Sequence, residues 1–385
     1  MSKPKIVIVG AGLAGLAAAK VLEASGLSPL ILEQSDKVGG RVRTDEFQGF
    51  LLDRGFQVLL DSYPEIGEYE AALKLKPFET GARYFWENDF RKLNPFNPFR
   101  WNRTEFLGLL KSLKLFYPSE NKPASHLFEE NAFMKAFWIP FFRGVFLDPE
   151  LSTRSKRIKA LIPFFLKGRV TLPEKGMGEL AALMAKDLKS SEIRLNTPVQ
   201  KVHKKGVVLQ SGEKLSCDFL LLGTELPSAF RLLGVDREEK GEATEVFYFS
   251  APKDKVEADK FLWLDSRPES PVNNFSVLSQ VQPSYAPEGQ HLISATSVGH
   301  EVPQAEAVEV YLTRALKIPS GTLQFLKSIN VPYALPKQDK APPFQKGEYE
   351  GIFLAGELVD PPSINDAIWG GKKAAQAVIQ GVNSP

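Results

Sequence analysis

The stretch that most constrains this chain is its glycine-punctuated opening. Behind Lys3 and Lys5 runs an apolar segment from Ile6 to Ala19, a pattern shared by export signals and by the first strand and helix of a nucleotide-binding unit. The glycine spacing separates the two. Gly10, Gly12 and Gly15 stand at G-x-G-x-x-G spacing, directly after the β-branched run KIVIV and directly before the helix-forming run LAGLAAAKVLEAS. Gly26 is placed to close that helix as a left-handed cap, and a second apolar strand, PLILE, ends on Glu33. The seventeen residues between Gly15 and Glu33 suffice for one helix, one turn and one return strand. The expected unit is βαβ.

Each residue type has a physical task in such a unit. Gly10 permits a tight turn, Gly12 lets the backbone approach a pyrophosphate, and Gly15 lets the helix pack against the strand. Leu13 and Ala14 open the helix, whose free N–H groups and positive end face the phosphates. Glu33, followed by Gln34, can accept the hydroxyl protons of an adenosine ribose. The expected ligand is a dinucleotide, and the βαβ unit alone does not separate NAD from FAD.

Later segments narrow the choice. After Glu33 the chain reads QSDKVGGRVRT, in which Gly39 and Gly40 offer another close backbone approach and Arg41 a charge for phosphate oxygens. From Arg194 to Glu225 short strands are expected, joined by turns at Gly206 and at Ser211-Gly212 and ending in a buried apolar strand. Near the end, GIFLAGELVDPPSINDAIWGGKKAAQAVIQG reads as a strand ending at Gly356-Glu357, a proline-rich loop and a helix from about Asn365. This is a second nucleotide-facing crossing.

With those segments in place the sequence resembles the flavin-containing amine oxidase superfamily, which takes in amine oxidases, protoporphyrinogen oxidases and carotenoid desaturases. The family's G-G-R-x-x-T is matched by Gly39, Gly40, Arg41 and Thr44, its G-M-G by Gly176, Met177 and Gly178, its adenine-holding valine by Val199, and its C-terminal A-G-E by Ala355, Gly356 and Glu357. The resemblance implies an α/β fold: a glutathione-reductase-type, Rossmann-like FAD-binding domain with an interleaved α+β substrate domain of antiparallel sheet plus helices. It implies noncovalent FAD, with Ile364, Asn365, Asp366 and Ala367 at the flavin end of the C-terminal helix. Many relatives carry glycine where Asp366 stands. Asp53-Arg54-Gly55-Phe56-Gln57 occupies the region that passes the flavin ring in relatives, so Gly55, Phe56 and Gln57 are expected at the ring. Arg54, Gln57 and Asp366 are the flavin-face candidates for a part in catalysis, and no general base is assigned. The expected division is 1–76, 171–232 and 345–385 for FAD, and 77–170 and 233–344 for substrate.

Composition excludes several other classes. The net charge of +2 is too small to argue for nucleic acid, and no basic tract is interleaved with aromatics. The four histidines are scattered without metal-ligand spacing, and no G-x-S-x-G elbow is present. The single cysteine, Cys217, excludes an internal disulfide, fits a reducing compartment and lies in an apolar strand far from the C-terminal site. No apolar run has the length of a membrane span. A cytoplasmic protein is expected.

Residues 77–170 hold 15 of the 27 phenylalanines. They are either core or the lining of a long apolar pocket with few polar groups. Thr153–Arg169 mixes six cations with ALIPFFL, which reads as a partly buried helix or as a landing patch on the inner face of a membrane. Strands are expected at EVFYFS, NNFSVLSQV and HLISATSV, with a helix near Ala305 to Leu316, forming a sheet floor under helices from 77–170. The activity expected is hydride transfer from a small apolar substrate to FAD, of desaturase, dehydrogenase or amine-oxidase type. The alternative is flavin-dependent isomerisation of a polyene or other apolar substrate without net oxidation. Oxygen, a quinone or a protein could reoxidise the flavin.

Overall fold

The structure, a computed structural model, describes residues 3–93, 101–112, 115, 122–128 and 131–383. Strand β1 (Ile6–Val9), helix α1 (Leu13–Ala24) and strand β2 (Leu30–Leu32) form the expected βαβ unit, with β1 and β2 parallel. Gly26 turns the chain at φ +77° while the Leu27 N–H returns to Leu22 O at 3.1 Å, closing the helix as a left-handed cap. The unit sits in a six-stranded sheet ordered Glu192–Arg194, β2, β1, Phe219–Leu222, Ile352–Leu354, Glu348–Tyr349. The first five strands are parallel and the last is antiparallel. Alternate residues of β1 enter different cores: Ile6 and Ile8 pack with α1 and the C-terminal helix (Ile364–Asn383), Val7 and Val9 with Leu220, Leu222 and Phe230. Burial on both faces is why IVIV and FLLL read as unbroken apolar runs.

A second sheet has seven strands in the order Gln324–Leu335, Glu242–Pro252, Gln290–Val298, Asn274–Val277, Leu262–Leu264, Ala82–Trp86, Asp89–Leu93. Its pairs are antiparallel except Leu262–Leu264 with Ala82–Trp86. Several expectations change here. Residues 77–170 contribute, besides helices, the last two strands of this sheet, Ala82–Trp86 and the edge strand Asp89–Leu93, turned at Glu87-Asn88 with Glu87 at φ +59°. The twelve-residue strand Gln324–Leu335 was not anticipated: Pro332 argues against a central strand, and the strand lies at the sheet edge, where a missing N–H is tolerated. In NNFSVLSQV the strand stops at Val277, and Leu278–Val281 is a helical turn. Gly206 begins a strand and Lys204-Lys205 makes the turn; a Cβ on Gly206 would lie 2.4 Å from Leu215 O of the paired strand, so the glycine serves close strand packing.

Over this sheet lie helices α2 (Arg103–Ser112), α3 (Ala132–Phe146) and α4 (Ser155–Lys167). Asn131 caps α3, its Oδ1 accepting from the N–H groups of Phe133 and Met134. Trp138 Nε1 donates to Ser112 Oγ at 2.7 Å, and Phe141 meets Phe165 edge-on at 5.3 Å, so α3 joins α2 to α4. Phe128, Phe133, Phe142 and Phe146 are core; Phe96, Phe99 and Phe116 lie outside the described residues.

Candidate active site

One cavity of about 1440 Å³ runs between the two sheets. At one end the βαβ turn supplies Gly10, Gly12, Leu13 and Ala14, the residues just after β2 supply Glu33 and Gln34, and Thr197 and Val199 close the far side. Gly39, Gly40 and Arg41 line the next stretch, facing Gly356, Glu357, Ile364 and Ala367. Arg54, Gly55, Phe56 and Gln57 then lead into a chamber walled by Leu115, Phe137, Trp138, Phe141, Leu161 and Phe165. Drug-sized ligands occupy about 300–1,000 Å³, so this cavity has room for a dinucleotide and a substrate together.

The glycines divide as their expected tasks require. Gly10 holds φ +102°, and a Cβ would lie 2.7 Å from Gly223 O. Gly15 does not line the cavity: its Cβ would lie 2.0 Å from Gly10 O, so it serves helix packing. Gly12 has nothing within 4 Å of where a Cβ would stand, and Gly40 has only the Gly12 Cα at 3.6 Å. Two adjacent backbones thus leave a groove that side chains would fill, which is the shape a pyrophosphate needs.

Charge is arranged around that groove. Glu33 is 6% exposed; its Oε2 accepts from Ala11 N at 2.8 Å and its Oε1 from Ser35 N and Oγ. The Arg41 guanidinium donates to Ala334 O at 2.8 Å, pairs with Glu357 and lies over the Tyr333 ring. Glu357 in turn accepts from Leu226 N at 2.8 Å and Tyr333 Oη at 3.0 Å, tying the N-terminal arginine to the C-terminal crossing. Arg43, which sequence reasoning passed over, also lines the cavity; it pairs with Asp36, and its Nε has no partner among the described residues. Its signal was the alternation R-V-R after Gly40.

The G-M-G and G-G-R-x-x-T segments meet through one threonine. A Cβ on Gly176 would lie 2.3 Å from Thr44 Oγ1, and Gly178 N donates to that oxygen at 2.9 Å. Thr44 Oγ1 donates to Asp53 Oδ1, which also accepts from Met177 N at 2.9 Å, while Oδ2 accepts from Tyr285 Oη at 2.9 Å. Tyr248 Oη, from the second sheet, donates to Asp53 O at 2.7 Å. Burial pushes the Asp53 carboxyl up to about 6 despite these donors. Asp53 is therefore the pin that holds the Arg54–Gln57 turn against both sheets, a role the sequence did not signal. Gly55 sits at φ +101°.

Two expected contacts are placed otherwise. Asn365 turns its Oδ1 toward Glu65 N at 3.3 Å, and neither it nor Asp366 lines the cavity. Asp366 N is already satisfied by Ser363 Oγ at 2.9 Å, and the Asp366 charge lies in the field of Tyr63 and Arg157. Gln57 gives both amide hydrogens to backbone, at Arg41 O and Arg54 O, so it braces the turn. Cys217 is buried in the core of the first sheet, outside the cavity lining, and burial pushes its thiol up to about 11. Among the described residues no group of three metal-ligating side chains is present, and no helix is long and apolar enough to cross a membrane. Lys167 is the one lysine in the described lining and is exposed at the chamber mouth.

A parallel-sheet βαβ groove with a second glycine pair and a C-terminal crossing, opening onto an apolar chamber, defines a flavin-dinucleotide fold. The whole chain superposes on the crystal structure of an oxidoreductase from Methanosarcina mazei with TM-score 0.75 at 15% identity, covering 98% of this chain and 100% of that one. The chain belongs to the flavin-containing amine oxidoreductase family, whose model matches residues 13–379, and FAD is the cofactor its cavity takes. It is 37% identical over 142 residues to an L-amino-acid oxidase of Bungarus fasciatus, covering 34% of this chain and 25% of that protein. It is 38% identical over 115 residues to a lycopene-forming phytoene desaturase of Pantoea ananas, covering 25% and 23%. These matches span about a quarter of each curated relative's length.

Proposed function

We propose that the protein is an FAD-dependent oxidoreductase that removes a hydride from a C–H bond of an apolar organic substrate. The observation that carries this is the continuity of the cavity: its phosphate groove passes the Arg54–Gln57 turn directly into the aromatic chamber. Gly10, Gly12, Gly40 and Arg41 would hold the pyrophosphate, Glu33 the ribose, and the turn at Gly55 the side of the ring. Bound FAD supplies a two-electron acceptor, which the protein itself lacks.

The chain's own part is positioning. Phe137, Trp138, Phe141 and Leu161 exclude water and fix an apolar skeleton by contact, which orders the reacting C–H bond without a charged group. Histidine is absent from the described lining, and the lining lysine stands at the mouth. That favours desaturase or dehydrogenase chemistry over amine oxidation. The mouth carries Leu166 at 68% exposure beside Lys167, on a helix that contains cations and no acid, and α2 exposes Phe106, Leu107 and Leu110. This supports docking of the mouth on an anionic membrane surface, from which apolar substrates are collected. The test is anaerobic reduction of the flavin-loaded protein by isoprenoids and by apolar amines, with product mass. Loss of two hydrogens supports oxidation; an unchanged mass with a shifted double bond establishes isomerisation instead.

A further inference from the structure

The floor of the chamber carries a polar side chain that hydride removal does not use, with two more packed in the sheet behind it. Asn274, in the strand Asn274–Val277, is 2% exposed and lines the cavity. Its register partners Leu264 and Thr296 share its face of the sheet, and Ser294, two residues from Thr296, points the same way. Asn274 Nδ2, Thr296 Oγ1 and Ser294 Oγ have no hydrogen-bond partner among the described residues. Buried polar atoms are paired in about nine cases of ten, by protein, water or ligand, so Asn274, the one of the three that lines the cavity, calls for a partner there.

The local structure fixes which end of Asn274 is offered. Asn273 Nδ2 donates to Pro140 O at 2.8 Å and to Asn274 Oδ1 at 3.0 Å. That contact makes Oδ1 the acceptor and leaves Nδ2 as an unspent donor, because the flipped amide would set two NH₂ groups against each other. Helix α3 is shaped to admit the pair. A Cβ on Gly144 would lie 3.2 Å from both Asn273 Nδ2 and Asn274 Oδ1, and Gly144 itself lines the cavity.

We infer that Asn274, backed by Thr296 and Ser294 in the neighbouring strand, forms a polar subsite in which its Nδ2 donates to a neutral oxygen, carbonyl or hydroxyl, of an otherwise apolar substrate. The inference rests on the apolar-chamber reading and narrows it: the substrate is an oxygen-bearing skeleton and not a pure hydrocarbon. None of the three side chains carries a charge, so a carboxylate placed there would be buried without a counter-ion from them.

The experiment titrates FAD-loaded protein with acetophenone and with ethylbenzene, close in shape and differing in the carbonyl, reading binding from the flavin difference spectrum. Wild type and Asn274→Leu are compared, with Thr296→Val as a second, nearly isosteric variant; FAD content and Tm report folding. The expected result is that the preference for acetophenone over ethylbenzene falls about three- to tenfold in Asn274→Leu, the size of one neutral hydrogen bond, with a smaller fall in Thr296→Val and little change in ethylbenzene affinity. An unchanged preference in both folded variants overturns the subsite while leaving the apolar chamber standing. Failure of both compounds to bind wild type overturns the chamber reading and the subsite with it.

Discussion

Gly12→Ala separates folding from cofactor binding at a single atom. Gly12 is the N-cap of α1 at φ −73° and ψ 177°, a conformation alanine adopts freely, and the new methyl meets nothing within 4 Å. Alanine is a poorer N-cap than glycine, by about 0.5 kcal/mol, while its stiffer unfolded chain offsets a similar amount. The apoprotein should therefore melt as wild type does. The same methyl projects into the groove between Gly12 and Gly40, where a pyrophosphate must approach the backbone. Overfilling a close contact costs about 1–3 kcal/mol, so the Kd for FAD should rise about 5- to 150-fold. Calorimetric titration of apoprotein with FAD measures the Kd, and thermal unfolding with and without FAD measures both quantities together. Gly15→Ala is the contrast, since its Cβ would lie 2.0 Å from Gly10 O and should destabilise the apoprotein itself. Wild-type FAD affinity in Gly12→Ala would refute the assignment of this groove to the pyrophosphate.

The Asp53 carboxyl, raised from 3.8 to about 6 by burial, contributes stability that is full below pH 3.8 and lost as pH rises through 6. At about 1.4 kcal/mol per pH unit the loss reaches about 3 kcal/mol, and Asp53→Asn should flatten that part of the urea-unfolding profile between pH 4 and 7. The buried Glu242, pushed up to about 7, should keep its own slope in the same direction. Gly55→Val places a β-branched residue at φ +101°, a strain of about 1–3 kcal/mol, and purified protein should carry less FAD; undiminished occupancy argues against the turn beside the ring. Acid precipitation should release the flavin into the supernatant, because Cys217 stands outside the cavity; flavin retained in the pellet would contradict noncovalent binding. Sedimentation with anionic liposomes should show salt-sensitive binding that Leu166→Glu weakens; equal recovery with neutral vesicles would exclude the charged mouth.

What could be read in the sequence was what backbone geometry dictates locally. Gly10, Gly12 and Gly15 announce themselves because all three fall in one short strand-turn-helix at a recognisable spacing, and β1 and the 219–222 strand because burial on both faces leaves no room for polar residues. Asp53 could not be read this way. Its partners Thr44, Met177, Tyr248 and Tyr285 come from four separate stretches of chain, and only the fold shows that the carboxyl and backbone carbonyl of one residue answer all of them. The paired glycines Gly370-Gly371 lie between these cases. In the interior of the C-terminal helix each costs about 1 kcal/mol relative to alanine, which is a visible local defect without a visible cause. The cause is across the sheet's helical layer: a Cβ on Gly371 would lie 2.1 Å from Ala14 O, and one on Gly370 2.5 Å from an Asp360 carboxylate oxygen. The defect lets the C-terminal helix press against the first turn of α1, and so brings Ile364 and Ala367 to the same cavity that Leu13 and Ala14 line. A glycine that weakens its own helix is thus evidence of a second backbone nearby, and here that second backbone belongs to the dinucleotide turn.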